Sequence, residues 1–444
     1  MMYHLLKNKS QSERLSIASE YYTRGEINSC MQSIFVILDN DPYDHGAISL
    51  LGAVYHTLDN YGMSEIVYRY GLSLYKDSFQ MWVGLGTAIR NRPEESIEIL
   101  SHALALSPDN AIVKSNLAAT YIEIEEYEKA LALANEVLES DPLSASANDT
   151  AAVASLGLGD FKTGWDRNQV LLGEKWRKEI IYGDEERWNG EKGKTVIIYG
   201  EQGIGDEIFY GTVINDAIKD CKKVIIDCDP RLESLFKRSF PDAFVYGTRG
   251  KTAPWLNKHK WDYRCAMSDL CRFYRNDKKD FKNKPFLKPD PVRSAQWSSL
   301  FGSRTKIGIA FRGGGQFTHR PLREIPIESF RPLTELGELV SLEYESFDYE
   351  DFPVEVYDWA TTGDYDNAAA LVSQLDYVVT TCTSIVHLAG ELGIHCYVLT
   401  PKHSMWRFND DMIFHKSVSV IECKGDWDKG IEQVCKLISL RKAA

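Results

Sequence analysis

Three proline breaks set a repeat length that few folds can satisfy. Asp41-Pro42, Ser107-Pro108 and Asp141-Pro142 are separated by 66 and 34 residues, two periods and one period of about 34. A unit of that length holds one pair of amphipathic helices, and one pair alone has too little apolar surface to bury, so such units stack into a solenoid. The clearest unit is AIVKSNLAATYIEIEEYEKALALANEVLESDP, residues 111–142, with Leu117, Ala118, Tyr121, Tyr127, Ala130 and Leu131 at its small and aromatic positions. Ala118 and Ala130 let the paired helices approach, and each proline ends one unit before the next begins. Weaker copies occupy residues 47–74 and 82–106, and the junction at 75–80 lacks the closing proline. About four repeats and a capping helix therefore fill residues 1–160. The small and aromatic positions pack the solenoid, which leaves any function of the repeats to its concave surface.

This segment resembles a tetratricopeptide repeat, which implies a protein-binding surface. From Thr195 onward the period changes to short apolar runs bounded by turns: TVIIYG, KKVIIDC, AFVYG, TKIGIAF, LVSLEY, LDYVVTT and HCYVLT. Such runs alternating with helical stretches predict parallel sheets in two doubly wound, Rossmann-type α/β lobes, over residues 195–290 and 291–444. Residues 161–194 connect them to the solenoid, and the proline-rich stretch from Pro285 to Trp297 joins the lobes. The fold class is thus an α-solenoid followed by α/β.

Composition narrows the function. The 444 residues carry a formal charge of -13, from 51 basic against 64 acidic side chains, which opposes a nucleic-acid or anionic-membrane binder, because counterion release needs clustered Lys and Arg. The nine cysteines include no C-x-x-C pair, MMYHLLKNKSQSERL lacks the apolar stretch of a signal peptide, and no run approaches the roughly 20 apolar residues of a membrane span. The expectation is a cytoplasmic protein without a transmembrane segment.

Ligands of doubly wound sheets bind beyond the carboxyl ends of the strands, so the loops after the apolar runs hold the candidates. After TVIIYG comes Glu201-Gln-Gly-Ile-Gly-Asp206, where Gly203 and Gly205 permit a tight turn and Asp206 stands at a helix N-terminus. A dinucleotide fingerprint would need a third glycine that this loop lacks. After TKIGIAF, the stretch Arg312 to Arg323 joins three glycines and three arginines; backbone N–H groups at Gly313 and Gly314 with guanidinium forks form a diphosphate cradle. After LDYVVTT, Thr383 and Ser384 open a helix and can offer hydroxyls and N–H groups to an anion. Glu345 follows LVSLEY, where a carboxylate can accept from a ribose. Asp227-Cys-Asp229 has the form of a metal-binding D-x-D but ends a strand of the first lobe, and it is discounted.

The run WNGEKGKTVIIYGEQGIGDEI, Trp188 to Ile208, resembles the opening of the glycosyltransferase-like domain found behind tetratricopeptide repeats in many bacterial and phage proteins. That domain is similar to the lipopolysaccharide heptosyltransferases and, more distantly, to the O-linked N-acetylglucosamine transferases. The likeness continues through PFLKPDPVR (285–293), KIGIAFRGG (306–314), REIP (323–326) and residues 375–393. It implies a GT-B pair of lobes and an inverting, metal-independent transfer of a hexosyl or heptosyl group. The donor substrate would be a nucleoside diphosphate sugar, with no cofactor, and the acceptor a protein or glycan brought in by the repeats.

By that resemblance Asp206 is the general base, although an aspartate there also caps its helix. Arg323, in preference to Arg320, faces the donor phosphates; otherwise both are surface arginines on a loop. His387 either orients the phosphates or is a packed, hydrogen-bonded histidine. Trp406 and Arg407 match a W-R pair. The family's D-T-x-x-x-H carries Cys382 in place of its aspartate, a departure that leaves a second reading open, a non-catalytic repeat scaffold with a degenerate transferase-like domain.

Overall fold

A computed structural model describes residues 6, 8–174, 176–251, 253–282, 284–313, 323–357, 363–402, 405–408 and 412–443. The chain divides into two compact units, residues 1–154 and 155–444.

The first unit is a stack of antiparallel helix pairs: α1 (Gln11–Thr23) with α2 (Ile27–Asn40), α3 (His45–Thr57) with α4 (Tyr61–Leu74), α5 (Phe79–Ala88) with α6 (Pro93–Leu106), and α7 (Ala111–Glu123) with α8 (Tyr127–Ser140). Helix α9 (Ala145–Gly157) follows. The first helices of successive units open at residues 11, 45, 79, 111 and 145, spacings of 34, 34, 32 and 34. The short third unit has only ten residues in α5, and Pro93 then opens α6, where a missing N–H costs nothing. Asp44, Asn60, Ser78 and Asn110 cap four of these starts by accepting the N–H groups of Ala47, Met63, Met81 and Val113. Ala118 and Ala130 are fully buried, as the close approach of α7 and α8 requires.

The second unit begins with α10 (Phe161–Val170). Its Trp165 is 1% exposed and donates its indole N–H to the Arg275 carbonyl at 2.7 Å, and Phe161 meets Phe281 with ring centroids 5.0 Å apart. The stretch that reads as a connector is therefore built into the α/β unit, and the division between units falls a few residues before 160.

Two five-stranded parallel sheets follow. The first contains β1 (Glu186–Arg187), β2 (Thr195–Tyr199), β3 (Lys223–Asp227), β4 (Phe244–Tyr246) and β5 (Tyr263–Ala266), in the order β1-β5-β2-β3-β4. The second contains β6 (Lys306–Ala310), β7 (Glu338–Ser341), β8 (Tyr377–Thr381), β9 (His395–Thr400) and β10 (Val418–Glu422), in the order β10-β9-β8-β6-β7. Every residue of β2, β6 and β8 is buried, which explains why these strands read as unbroken apolar runs: helices cover both faces. Among those helices are α11 (Ile204–Gly211), α12 (Ile214–Asp220), α13 (Glu233–Ser239), α14 (Cys271–Tyr274), α15 (Pro291–Leu300), α16 (Tyr365–Val372), α17 (Ser384–Leu392) and α18 (Trp427–Ala443). One core of the unit sets Ile307, Ile309, Val379, Leu399 and Ile421 of the second sheet against Ile431, Val434 and Ile438 of α18.

Strand order locates the crevices. The connections leave β2 toward β3 and return to β5 on its other side, and they leave β6 toward β7 and return to β8. Each sheet therefore has a topological switch point, at β2/β5 and at β6/β8, where the loops diverge and leave room for a ligand. Among the described residues no helix is long and apolar enough to cross a membrane.

Candidate functional site

The loops after β2, β6 and β8 meet at one cleft of about 720 Å³, a usual size for a small-molecule site. Two helix N-termini face each other across it. Thr383 caps α17, its hydroxyl accepting the Ile385 N–H at 3.2 Å, and Gly203 caps α11. A helix N-terminus carries partial positive charge, which favours an anion beside it. The approach is close enough to favour glycine: a Cβ on Gly205 would lie 3.0 Å from Ser384 Cβ, and one on Gly313 2.3 Å from Thr383 Cγ2.

The cleft gathers Gly203, Gly205, Asp206, Gly313, Arg323, Thr383, Ser384 and His387. Gly314 and Arg320 lie outside the described residues. Arg312 and Glu345 are not among the lining. Arg312 turns away to the buried Glu343, with Nε 3.2 Å from Oε2 and its backbone N–H 2.9 Å from Oε1, and it donates to the carbonyl of the exposed Glu345. Arg312 thus ties the end of β6 to the residues after β7 and, among the described residues, is not part of the cleft lining.

Asp206 is held twice. Its Oδ2 accepts the Gly203 N–H at 3.1 Å, which is the capping contact, and its Oδ1 receives Arg407 Nη1 at 2.8 Å. Arg407 comes from the second sheet's side, lies over the Phe209 ring at 4.9 Å, and follows Trp406, which meets Trp165 edge-on at 5.8 Å. Arg323 donates to the Cys382 carbonyl at 3.3 Å. Burial pushes the Cys382 thiol up to about 12, so it carries no thiolate at neutral pH and is no nucleophile. Ser384 exchanges a hydrogen bond with Tyr365 at 2.7 Å, and His387 Nδ1 stands 2.9 Å from His415 Nε2.

Arg231, Tyr344 and Tyr365 also line the cleft, and the sequence reading did not single them out. Arg231 is forked on Asp229 at 2.9 and 3.0 Å and lies over the Tyr365 ring at 5.8 Å. The signal was present: Arg231 follows the run KKVIIDC by way of Asp229-Pro230, at a strand's carboxyl end, and Asp364 before an apolar run announces the helix that carries Tyr365. The described lining holds three arginines against one aspartate, with Arg231 forked on Asp229 and Arg407 paired with Asp206.

Asp227 is fully occupied. It accepts from Thr248 N and Oγ1, Arg249 N, Gly250 N and the Tyr182 hydroxyl, all within 3.0 Å, which ties the turn after β4 to the end of β3. The D-x-D pattern is therefore the signature of a buried anchor.

Glu207, next to Asp206, faces the opposite way, into the first sheet. Burial pushes its carboxyl up to about 8, against the pull of Arg249 at 3.2 Å and of the Asp229 N–H at 2.8 Å. A carboxyl that binds its proton more tightly folded than unfolded adds stability that is complete below its unfolded value of 4.5 and is lost as pH rises through 8. Glu207→Gln, neutral at every pH, should therefore melt progressively higher than the parent as pH is raised from 5 to 9. Melting curves that stay parallel across that range would contradict the assignment.

The tetratricopeptide-repeat family model matches residues 89–156. The chain is similar to protein FlbA of Caulobacter vibrioides, 27% identical over 400 residues, covering 80% of this chain and 66% of FlbA, so that it spans about two thirds of that relative. Among solved structures it is similar to PilW, described as a widely conserved type IV pilus biogenesis factor, at 19% identity and TM-score 0.37, covering 48% of this chain and 88% of that one. It is also similar to a thermophilic repeat protein of Thermus thermophilus, at 15% identity and TM-score 0.33, covering 36% and 90%. The N-terminal region of the chain carries tetratricopeptide repeats.

Proposed function

We propose that the C-terminal unit is a GT-B-type glycosyltransferase that takes a sugar from a nucleoside diphosphate donor, while the repeats recruit a protein or glycan acceptor. The observation that carries this reading is the convergence on one cleft of two helix N-termini and of Arg231, Arg323 and Arg407, with Asp206 as the lone carboxylate among the described lining residues. Donors of that kind stabilise a departing diphosphate through fixed dipoles and guanidinium forks, in a site shaped before the reaction begins. Asp206 accepts the proton of the acceptor hydroxyl as that oxygen attacks the anomeric carbon, and the bond to the diphosphate breaks on the opposite face. Each of its oxygens keeps a lone pair for that proton beside the contact to Gly203 or to Arg407. A bound diphosphate gives Arg407 a second anion to pair with.

Because the arginines and helix termini supply the positive charge, binding needs no divalent cation. Thermal denaturation against a panel of UDP-, ADP- and GDP-linked sugars in EDTA should show at least one that raises the melting temperature, since a ligand bound only by the native state stabilises it by mass action. No shift with any member would favour the scaffold reading, for which Cys382 in place of the family's aspartate is the specific support.

A further inference from the structure

Three buried titratable groups stand in series behind the cleft wall. His387 in α17 is 4% exposed, His415 1% and Glu391 1%. His387 Nδ1 is 2.9 Å from His415 Nε2, and His415 Nδ1 is 2.8 Å from Glu391 Oε1, although that ring N–H does not point squarely at the carboxylate. The other carboxylate oxygen, Oε2, accepts the Phe286 N–H at 3.2 Å, which fixes the far end of the row. The near end opens on the cleft: His387 is part of its lining, with Cδ2, the neighbour of Nε2, on the side facing Gly205.

The tautomers follow from the ends. Burial pushes the Glu391 carboxyl up, while His415 and the Phe286 N–H pull it back; as the carboxylate it draws the His415 proton to Nδ1, 2.8 Å from Oε1, and His415 must then accept at Nε2. His387 then carries its proton on Nδ1 and leaves Nε2 with a lone pair. The surroundings favour a neutral ring: burial first, then His415 and Arg407, hold His387 well below the ordinary imidazole range, and Phe209 and Phe408 cover it with ring centroids 5.0 and 5.8 Å away. Besides Nε2, the described lining offers acceptors at Asp206, at the Gln202 amide oxygen and at hydroxyls, and the arginines donate. A phosphate finds donors there, but a sugar hydroxyl needs an acceptor.

We propose that Glu391 and His415 are positioning residues that hold His387 in its Nδ1–H tautomer, so that Nε2 accepts a hydrogen bond from a hydroxyl of the sugar; this rests on the donor reading above. The test is ¹⁵N NMR of the full chain labelled at histidine, with the His387 signals identified by their loss in His387→Gln. The wild type should show a neutral Nδ1–H ring from pH 6 to 8. Its Nε2 signal should move on adding the stabilising nucleotide sugar and stay in place with the nucleoside diphosphate alone. In Glu391→Gln the Phe286 N–H retains the amide oxygen, so the amide NH₂ meets His415 Nδ1 and drives both rings to the Nε2–H form. That variant should bind the nucleotide sugar about tenfold more weakly and the nucleoside diphosphate within about twofold of wild type. A His387 that is Nε2–H or charged in the wild type at pH 7 overturns the proposal, whether or not the variant folds, and so does a tautomer unaffected by Glu391→Gln. A correct tautomer that no nucleotide sugar perturbs overturns the donor reading and the hydroxyl contact, and leaves the Glu391–His415–His387 row standing.

Discussion

Asp206→Asn should lower the release of nucleoside diphosphate from the stabilising donor by about 10²-fold or more, with donor affinity within about threefold of wild type. The asparagine keeps the size of the side chain and can still accept the Gly203 N–H, so α11 stays capped. Its remaining group is an NH₂, which cannot pair with the Arg407 guanidinium that now reaches Oδ1. Arg407 loses its protein anion and is freed for the diphosphate, which is why affinity should survive while the proton acceptor is gone. Unchanged turnover would leave Asp206 as a helix cap and nothing more.

Arg177→Ala should destabilise the C-terminal unit by about 3–5 kcal/mol, the usual cost of breaking a buried ion pair from one side. Arg177 is 1% exposed, and its Nη2 serves Asp269 at 2.8 Å, Ser268 at 2.7 Å and Glu201 at 3.3 Å, while Nη1 reaches the Asn168 carbonyl. Glu201 opens the loop that leads to Gly203 and Asp206, so this guanidinium anchors the root of the candidate site to the ends of β2 and β5. Removing it leaves Glu201 and Asp269 buried with no cation between them. Urea denaturation monitored in the C-terminal unit measures the loss; a change below about 1 kcal/mol would show that the two carboxylates find protons or water without difficulty.

The repeat period and the parallel strands were legible because they depend on local pattern: prolines a fixed distance apart, and apolar runs long enough to be buried on both faces. The loops at strand ends were legible for the same reason, and eight of the expected side chains or backbone positions line one cleft. What the sequence hid is pairing at a distance. Trp165 reads as part of a connector because its partner, the Arg275 carbonyl, is 110 residues away. Nothing local to Arg312 reveals that Glu343, two residues before the expected Glu345, receives its Nε. His387 stands out in its motif, whereas His415 and Glu391 become meaningful only once α17 and the loop before β10 come together.

The most direct measurement is calorimetric titration, in EDTA, of the stabilising nucleotide sugar into the wild type and into Arg323→Ala. Arg323 sits between the Cys382 carbonyl and the cleft, where its charge-assisted hydrogen bonds to a diphosphate would each contribute about 1.5–3 kcal/mol. The account predicts metal-independent binding by the wild type and a dissociation constant roughly 10- to 100-fold higher in the variant. Equal affinity in the two proteins, or heat of binding that disappears with EDTA, would contradict it.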